Sequence, residues 1–246
     1  MKLLSIGNSF SQDAQSWLHR IAVANGVVLE TTNLVIGGCS LETHWNHVLD
    51  GEKEYWLEMN GTGVGRQVSL EEGLALDTFD VVTLQQASHY SGRPQSYVPY
   101  LPNLVAYVRE KQPGAQLYFH QTWAYEIDSD HGGFIPHNRD QHEMYRRICD
   151  CAELVKALVD LPILPCGPVI QRLRDTVPAF DYKGGSGLSL NRDGFHLSED
   201  YGRYTAAAVW FRVLTGKLPR TDAFAELDSA LLEQINTVIE AVVAGE

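Results

Sequence analysis

Short apolar runs alternate along this chain with longer stretches whose apolar residues recur every three or four positions. The short runs read as buried strands and the longer stretches as amphipathic helices. Leu3 to Ile6 is the first strand. A helix capped by Ser11 follows, with Ala14, Trp17, Leu18 and Ile21 on one face and an end near Gly26. Val28 to Ile36, Val81 to Gln85, Gln116 to His120 and Leu161 to Leu164 are the next four strands. A helix carrying Leu101, Leu104, Val105 and Val108 stops at Pro113-Gly114. A long helix after Asn138 turns Met144, Ile148, Ala152, Val155 and Leu158 inward. Ser198 caps a helix that buries Tyr204, Ala208, Phe211 and Leu214 and closes at Gly216. Leu231, Ile235, Val238, Ile239 and Val242 form the inner face of the last helix.

Strands that alternate with helices predict a mostly parallel sheet covered on both faces. The expected fold class is α/β, a three-layer α/β/α sandwich around a central parallel sheet of about five strands. A single domain over residues 1–246 is expected, because no linker or repeat interrupts the pattern. The stretch from about 44 to 74 is too long for an ordinary connection. It reads as an insertion that partly covers the site. Gly61-Thr62-Gly63-Val64-Gly65 inside it lacks the Gly-Lys-Ser/Thr of a phosphate-binding loop and reads as a hairpin-like turn.

Composition narrows the function classes. Hydrophobic residues make up 44% and charged residues 20%, which supports a packed core and excludes a disordered chain. The net charge of -12 disfavours nucleic acid and anionic membrane as partners. The apolar run at the N-terminus is too short for a secretion signal, and no stretch approaches the ~20 residues of a membrane helix. A cytoplasmic location is therefore expected. Cys39, Cys149, Cys151 and Cys166 form no C-x-x-C and read as lone apolar thiols. The histidines and aspartates between His120 and His142 match no metal-ligand spacing, so neither metal nor cofactor is expected.

In open parallel sheets, ligands sit beyond the carboxyl ends of the strands. That rule singles out Gly7 to Ser11, Gly37 to Leu41, Gln85 to Tyr90 and His120 to Tyr125. Ser9 lies between a strand and a helix N-terminus, where free N–H groups favour developing negative charge. Near the other end of the chain stands Asp193-Gly194-Phe195-His196. A loop Asp three residues before a His can bind Nδ1 and leave Nε2 to accept a serine proton. Either piece alone has a plain structural reading, Ser9 as a cap and the Asp-His pair as a surface turn. Together, in the order Ser, Asp, His, they read as a serine-esterase triad. A G-x-S-x-G elbow is absent, which removes the α/β-hydrolase alternative.

With these residues in view, the sequence resembles the SGNH/GDSL hydrolase superfamily, and most of all a bacterial branch known as domain of unknown function DUF4886. The matching blocks are Ile6-Gly-Asn-Ser9-Phe-Ser, Ile36-Gly-Gly38-Cys-Ser-Leu41, Leu84-Gln85-Gln86-Ala-Ser88, His120-Gln-Thr-Trp123-Ala-Tyr125 and Asp193-Gly-Phe-His196-Leu-Ser. The resemblance covers nearly the whole chain and implies a flavodoxin-like SGNH fold. It implies Ser9 as nucleophile, His196 as base and Asp193 as the base's partner. It also implies an oxyanion hole made by the backbone N–H groups of Ser9 and Gly38. The superfamily's third donor is an Asn in Gly-x-Asn-Asp, absent here. Gln85 is the expected substitute, with Gln86 as the alternative. Gly-Asn-Ser stands where the pattern has Gly-Asp-Ser, a change expected to matter little. Gln86, His120, Trp123 and Tyr125 are further candidates for the substrate pocket.

The expected activity is hydrolysis of O-acyl esters, acetyl above all, on a small molecule or a glycan. Two other readings stay open: a non-catalytic carbohydrate-binding domain on the same fold, and an O-acyltransferase.

Overall fold

The computed structural model describes residues 1–184 and 186–245. Five parallel strands form its centre: β1 (Lys2–Gly7), β2 (Glu30–Val35), β5 (Val81–Leu84), β6 (Gln116–Gln121) and β7 (Ile163–Pro165). Their spatial order is β2-β1-β5-β6-β7. Each lies within a few residues of an apolar run, because strands buried on both faces need unbroken hydrophobic sequence. The order reverses direction between β1 and β5, so the loops after these two strands open a crevice at the switch point.

Two antiparallel strands extend the sheet beyond β2, namely β3 (Tyr55–Met59) and β4 (Thr62–Val68). They belong to the stretch that the sequence marks as an insertion. Asn60 and Gly61 join them with φ of 51° and 76°. Two consecutive positive φ values are what a tight two-residue hairpin requires. The insertion thus widens the sheet, contrary to the expectation that it covers the site. β4 is the exposed edge, and only Val68 at its end is buried.

Helices fill both outer layers. α1 (Ser9–Gln15), α2 (Leu18–Ala24), α7 (Cys166–Thr176), α8 (Tyr201–Thr215) and α9 (Ser229–Ala244) cover one face. α3 (Leu41–Asp50), α4 (Leu70–Leu74) and α5 (Tyr100–Lys111) cover the other. α6 (Gln141–Val159) serves both cores, Met144 and Ile148 in the first, Cys151 and Val155 in the second. α8 is buried almost all round, from Tyr204 to Phe211. Each large side chain it buries contributes about 1.5–3 kcal/mol.

The helix expected from Ser11 to Gly26 is in fact two. Its cap is Asn8, whose side chain accepts from the Phe10 N–H, and Ser11 is buried one turn inside. The Ser16 hydroxyl donates to the Asp13 carbonyl and the Trp17 indole to the Glu199 carbonyl. Side-chain bonds of this kind compete with the helical ladder and divide α1 from α2. No described helix is long and apolar enough to cross a membrane.

Two of the fully buried histidines tie stability to pH most strongly. Burial pushes the His44 imidazole down to about 3, with the nearby His47 acting in the same direction. Burial alone pushes His120 down to about 3. Both values lie below the ordinary histidine value of about 6.5, so on acidification the unfolded chain takes up these protons first. Stability from this source is complete above about pH 6.5 and falls progressively towards about pH 3. The melting temperature should therefore drop between pH 7 and pH 4. In His44→Gln the slope should be shallower, whatever that variant's starting stability, and an unchanged slope would contradict the assignment.

Candidate active site

Ser9 is the first residue of α1, directly beyond the carboxyl end of β1. Its hydroxyl lies 2.8 Å from His196 Nε2. His196 Nδ1 lies 2.7 Å from Asp193 Oδ2. The other carboxylate oxygen, Oδ1, accepts from the His196 N–H at 2.8 Å and from the Phe195 N–H at 3.2 Å. The structure thus brings together the three residues that the sequence pairs across 187 positions. Burial acts to raise the Asp193 pKa, but the hydrogen bonds from the imidazole and the two N–H groups outweigh it and leave it below the ordinary value. The carboxylate stays ionised and fixes the imidazole with Nδ1 protonated. A hydroxyl on the free Nε2 of such an imidazole can give up its proton as it attacks.

The turn that holds this pair depends on one glycine. Gly194 has φ +82°, and a Cβ there would lie 3.0 Å from Ser129 Cα and its side chain. Its carbonyl accepts from the Glu126 N–H at 2.8 Å. The whole turn is then clasped to α1 by Asp13, a fully buried carboxylate. Asp13 Oδ2 accepts from the Leu197 N–H at 2.8 Å, and Oδ1 meets Arg192 Nη1 at 2.9 Å and Arg203 Nε at 2.8 Å. The helix that carries the serine and the loop that carries the histidine are therefore one rigid unit.

Asn8 organises the wall on the other side. Its Oδ1 accepts from the Phe10 N–H at 3.0 Å and from Gln85 Nε2 at 2.7 Å. Its Nδ2 donates to the Cys39 carbonyl at 3.0 Å. Gln85 Oε1 in turn accepts from His120 Nδ1 at 3.0 Å. A buried relay thus runs from His120 through Gln85 to Asn8 and ends on the loops of Ser9 and Gly38. An Asp at position 8 would have no donor for the Cys39 carbonyl, so the change from Gly-Asp-Ser is consequential in this chain. Asn8→Ala should lower stability by about 1–3 kcal/mol, since it leaves buried partners unpaired. Asn8→Asp, which keeps the cap but loses the bond to Cys39, should fall between Asn8→Ala and wild type in thermal melting. Equal melting of all three proteins would show that the relay is inert.

The cleft over Ser9 has a volume of about 560 Å³. Ser9 and His196 share its wall with Gly37 and Gly38, Ser88 to Tyr90, Arg93, His131 to Gly133, and Phe195. The Ser9 N–H heads α1 and has no acceptor within the helix. Gly38, at φ +65°, makes no hydrogen bond through its N–H among the described residues. Ser88 Oγ and Tyr125 Oη are 2.8 Å apart. Burial holds His131 below the ordinary histidine value, and the charge of His196 adds to the effect. Burial pushes the Cys39 thiol up to about 12, which disfavours its thiolate form.

Several residues proposed from sequence lie elsewhere. Gln85 turns its amide to Asn8, behind the cleft wall, so it is not placed as an oxyanion donor. Gln86 is used up structurally: Oε1 accepts from the Leu41 and Ala87 N–H groups, and Nε2 donates to Ser96. His120 is buried against Trp210, with ring centroids 5.0 Å apart. Trp123 stacks on Phe10 at 4.3 Å and donates to the Phe195 carbonyl at 2.8 Å. None of His120, Trp123 and Tyr125 lines the cleft; they hold the residues that do. Among the described residues no group of three or more His, Cys, Asp or Glu is arranged to hold a metal ion.

The family model for DUF4886, a domain of unknown function, matches residues 2–237. A DUF4886 family protein from Bacteroides uniformis is 35% identical, with a TM-score of 0.89 over 99% of this chain and 95% of that one. A provisionally assigned SGNH hydrolase from Slackia heliotrinireducens is 19% identical, with a TM-score of 0.58 over 87% of this chain and 98% of its own. The acetyl xylan esterase AlAXEase is 13% identical, with a TM-score of 0.55 over 87% of this chain and 100% of its own. At such identities the last two speak for the fold, which is that of the SGNH hydrolases. No curated protein matches the chain.

Proposed function

This chain belongs to the DUF4886 family, and we propose that it is a serine hydrolase that cleaves O-acyl esters, acetyl esters above all, through an acyl-enzyme. The reading rests on one observation: the continuous line of contacts from Ser9 Oγ through His196 to Asp193, at 2.8 and 2.7 Å. In this mechanism Ser9 Oγ attacks the ester carbonyl while His196 Nε2 takes its proton. The N–H groups of Ser9 and Gly38 receive the oxyanion. Ser88 is our candidate for the side-chain donor, since it lines the cleft from the segment where the superfamily pattern carries an Asn, and its hydroxyl would have to turn from Tyr125 to serve. Asp193 stabilises the imidazolium, which returns its proton to the leaving alcohol. Water then attacks the acyl-serine with His196 as base, and the acid is released.

The likeness in fold to an acetyl xylan esterase supports a glycan-borne ester as the substrate. A small-molecule or glycan partner also agrees with the net charge of -12, which repels nucleic acid. The test is covalent. A fluorophosphonate should label the native protein stoichiometrically, with the adduct on the Ser9 peptide, and p-nitrophenyl acetate should be turned over. A native protein that takes no label and cleaves no ester would instead be the non-catalytic carbohydrate-binding domain.

A further inference from the structure

The cleft wall carries an electrostatic sign that the chain as a whole does not. The sequence holds 31 acidic residues against 19 basic ones. Yet no Asp or Glu is among the described residues that line the cleft, whereas Arg93 is. A positive point in a dry-walled cleft concentrates anions even on an acidic protein.

Arg93 is also unspent. Arg20, Arg146, Arg147, Arg192, Arg203, Arg212 and Arg220 each meet a carboxylate. Among the described residues the Arg93 guanidinium meets none within 4 Å and makes no hydrogen bond. It is partly buried and lies over the Tyr90 ring, 5.1 Å from the centroid. A guanidinium stacked in this way keeps its fork of N–H donors free for a planar oxyanion. A partly buried charge with no partner is costly, and a ligand that supplies the partner removes that cost.

Its position says which half of an ester it faces. Arg93 and Tyr90 also form the wall of a second pocket, of about 280 Å³, that adjoins the cleft. Ser40, Gln95, Ser96 and Tyr100 line this outer lobe, and its one carboxylate, Glu42, is engaged by the Tyr100 hydroxyl at 2.6 Å. The Ser40, Ser96 and Tyr100 hydroxyls are engaged within the protein, but the Gln95 amide and two tyrosine rings suit a hydroxylated ring rather than an acyl chain.

We propose that the preferred substrate is an O-acylated acidic sugar, whose carboxylate is held by Arg93 where the cleft meets the outer lobe. This inference rests on the esterase reading, and the test separates the two. Measure kcat/KM on an O-acetylated uronic acid glycoside and on its neutral hexose counterpart, acetylated at the same position. Wild type should favour the acidic ester by roughly tenfold to a hundredfold, the range of a charged hydrogen bond, mostly through KM. The ratio should collapse towards one in Arg93→Met and recover in part in Arg93→Lys. A uniform loss of activity divides out of the ratio. Raised ionic strength should narrow the preference in wild type.

Equal rates on the two sugars in wild type would overturn the proposal, as would a preference that survives Arg93→Met. A second arm compares p-nitrophenyl hemisuccinate with p-nitrophenyl acetate. An Arg93-dependent preference confined to that arm would put the carboxylate on the acyl half and overturn the assignment to the sugar. Binding of the two sugar esters to Ser9→Ala, followed by calorimetry, needs no turnover. If no ester is cleaved, the esterase reading fails, while tighter binding of the acidic ester still upholds the role of Arg93.

Discussion

Ser9→Ala should abolish ester hydrolysis, with kcat down by roughly a thousandfold to a millionfold, the range seen when a triad nucleophile is removed. The loss should be chemical and not structural. Among the described residues the Ser9 side chain makes one hydrogen bond, to His196, and the cap of α1 belongs to Asn8. The melting temperature should therefore stay close to wild type, as it does for substitutions away from the core. Fluorophosphonate labelling should vanish in the same variant. A purified Ser9→Ala that keeps most of the wild-type rate would remove Ser9 from the mechanism.

The largest effect on stability is expected at a residue that never touches substrate. Asp13→Ala withdraws a buried carboxylate from Arg192, Arg203 and the Leu197 N–H together. Breaking one side of a buried ion pair costs about 3–5 kcal/mol, because the other charges lose their compensation. Chemical denaturation should show that loss. Activity should fall as well, since His196 precedes Leu197 and loses its fixed distance to Ser9. Asp13→Asn, which can still accept from Leu197, should lie between the two. A protein whose midpoint is unmoved by Asp13→Ala would mean that the clasp contributes nothing.

Much of this architecture was legible because buried parallel strands write themselves as apolar runs. β1, β5 and β6 fall within a residue of where the pattern puts them. The contact of Ser9, His196 and Asp193 was legible because Asp193 and His196 are local, and Ser9 marks a strand end. Other features left weaker marks. α7, to which the pattern assigned no element, begins in Cys166-Gly167-Pro168, where glycine weakens the helical signal although proline is tolerated in a first turn. The hairpin-like turn read at Gly61 to Gly65 is instead the two-residue Asn60-Gly61, and Thr62 to Gly65 already belong to β4. The cap at Asn8 loses on sequence to Ser11, because both are good caps and only the strand register decides.

The pocket was the least legible part. His120 lies at the carboxyl end of β6 and Trp123 and Tyr125 follow it, yet they turn inward because Gln85, Phe10 and Ser88 offer them partners there. The rim residues His131 to Gly133 come from a turn between β6 and α6 with no periodicity to reveal it. Arg93 looks in sequence like any loop arginine. What sets it apart is visible only in space: a place in the cleft wall with no carboxylate beside it.

The clasp of Asp13 to Arg192, Leu197 and Arg203 has a consequence for how the molecule comes into being. A ribosome delivers the serine early and the histidine late, 187 positions apart. Until that later portion has docked, the hydroxyl is an ordinary alcohol. If the proposed esterase reading holds, the growing chain carries no ester-cleaving site, and one forms only when the contact of Ser9 with His196 closes.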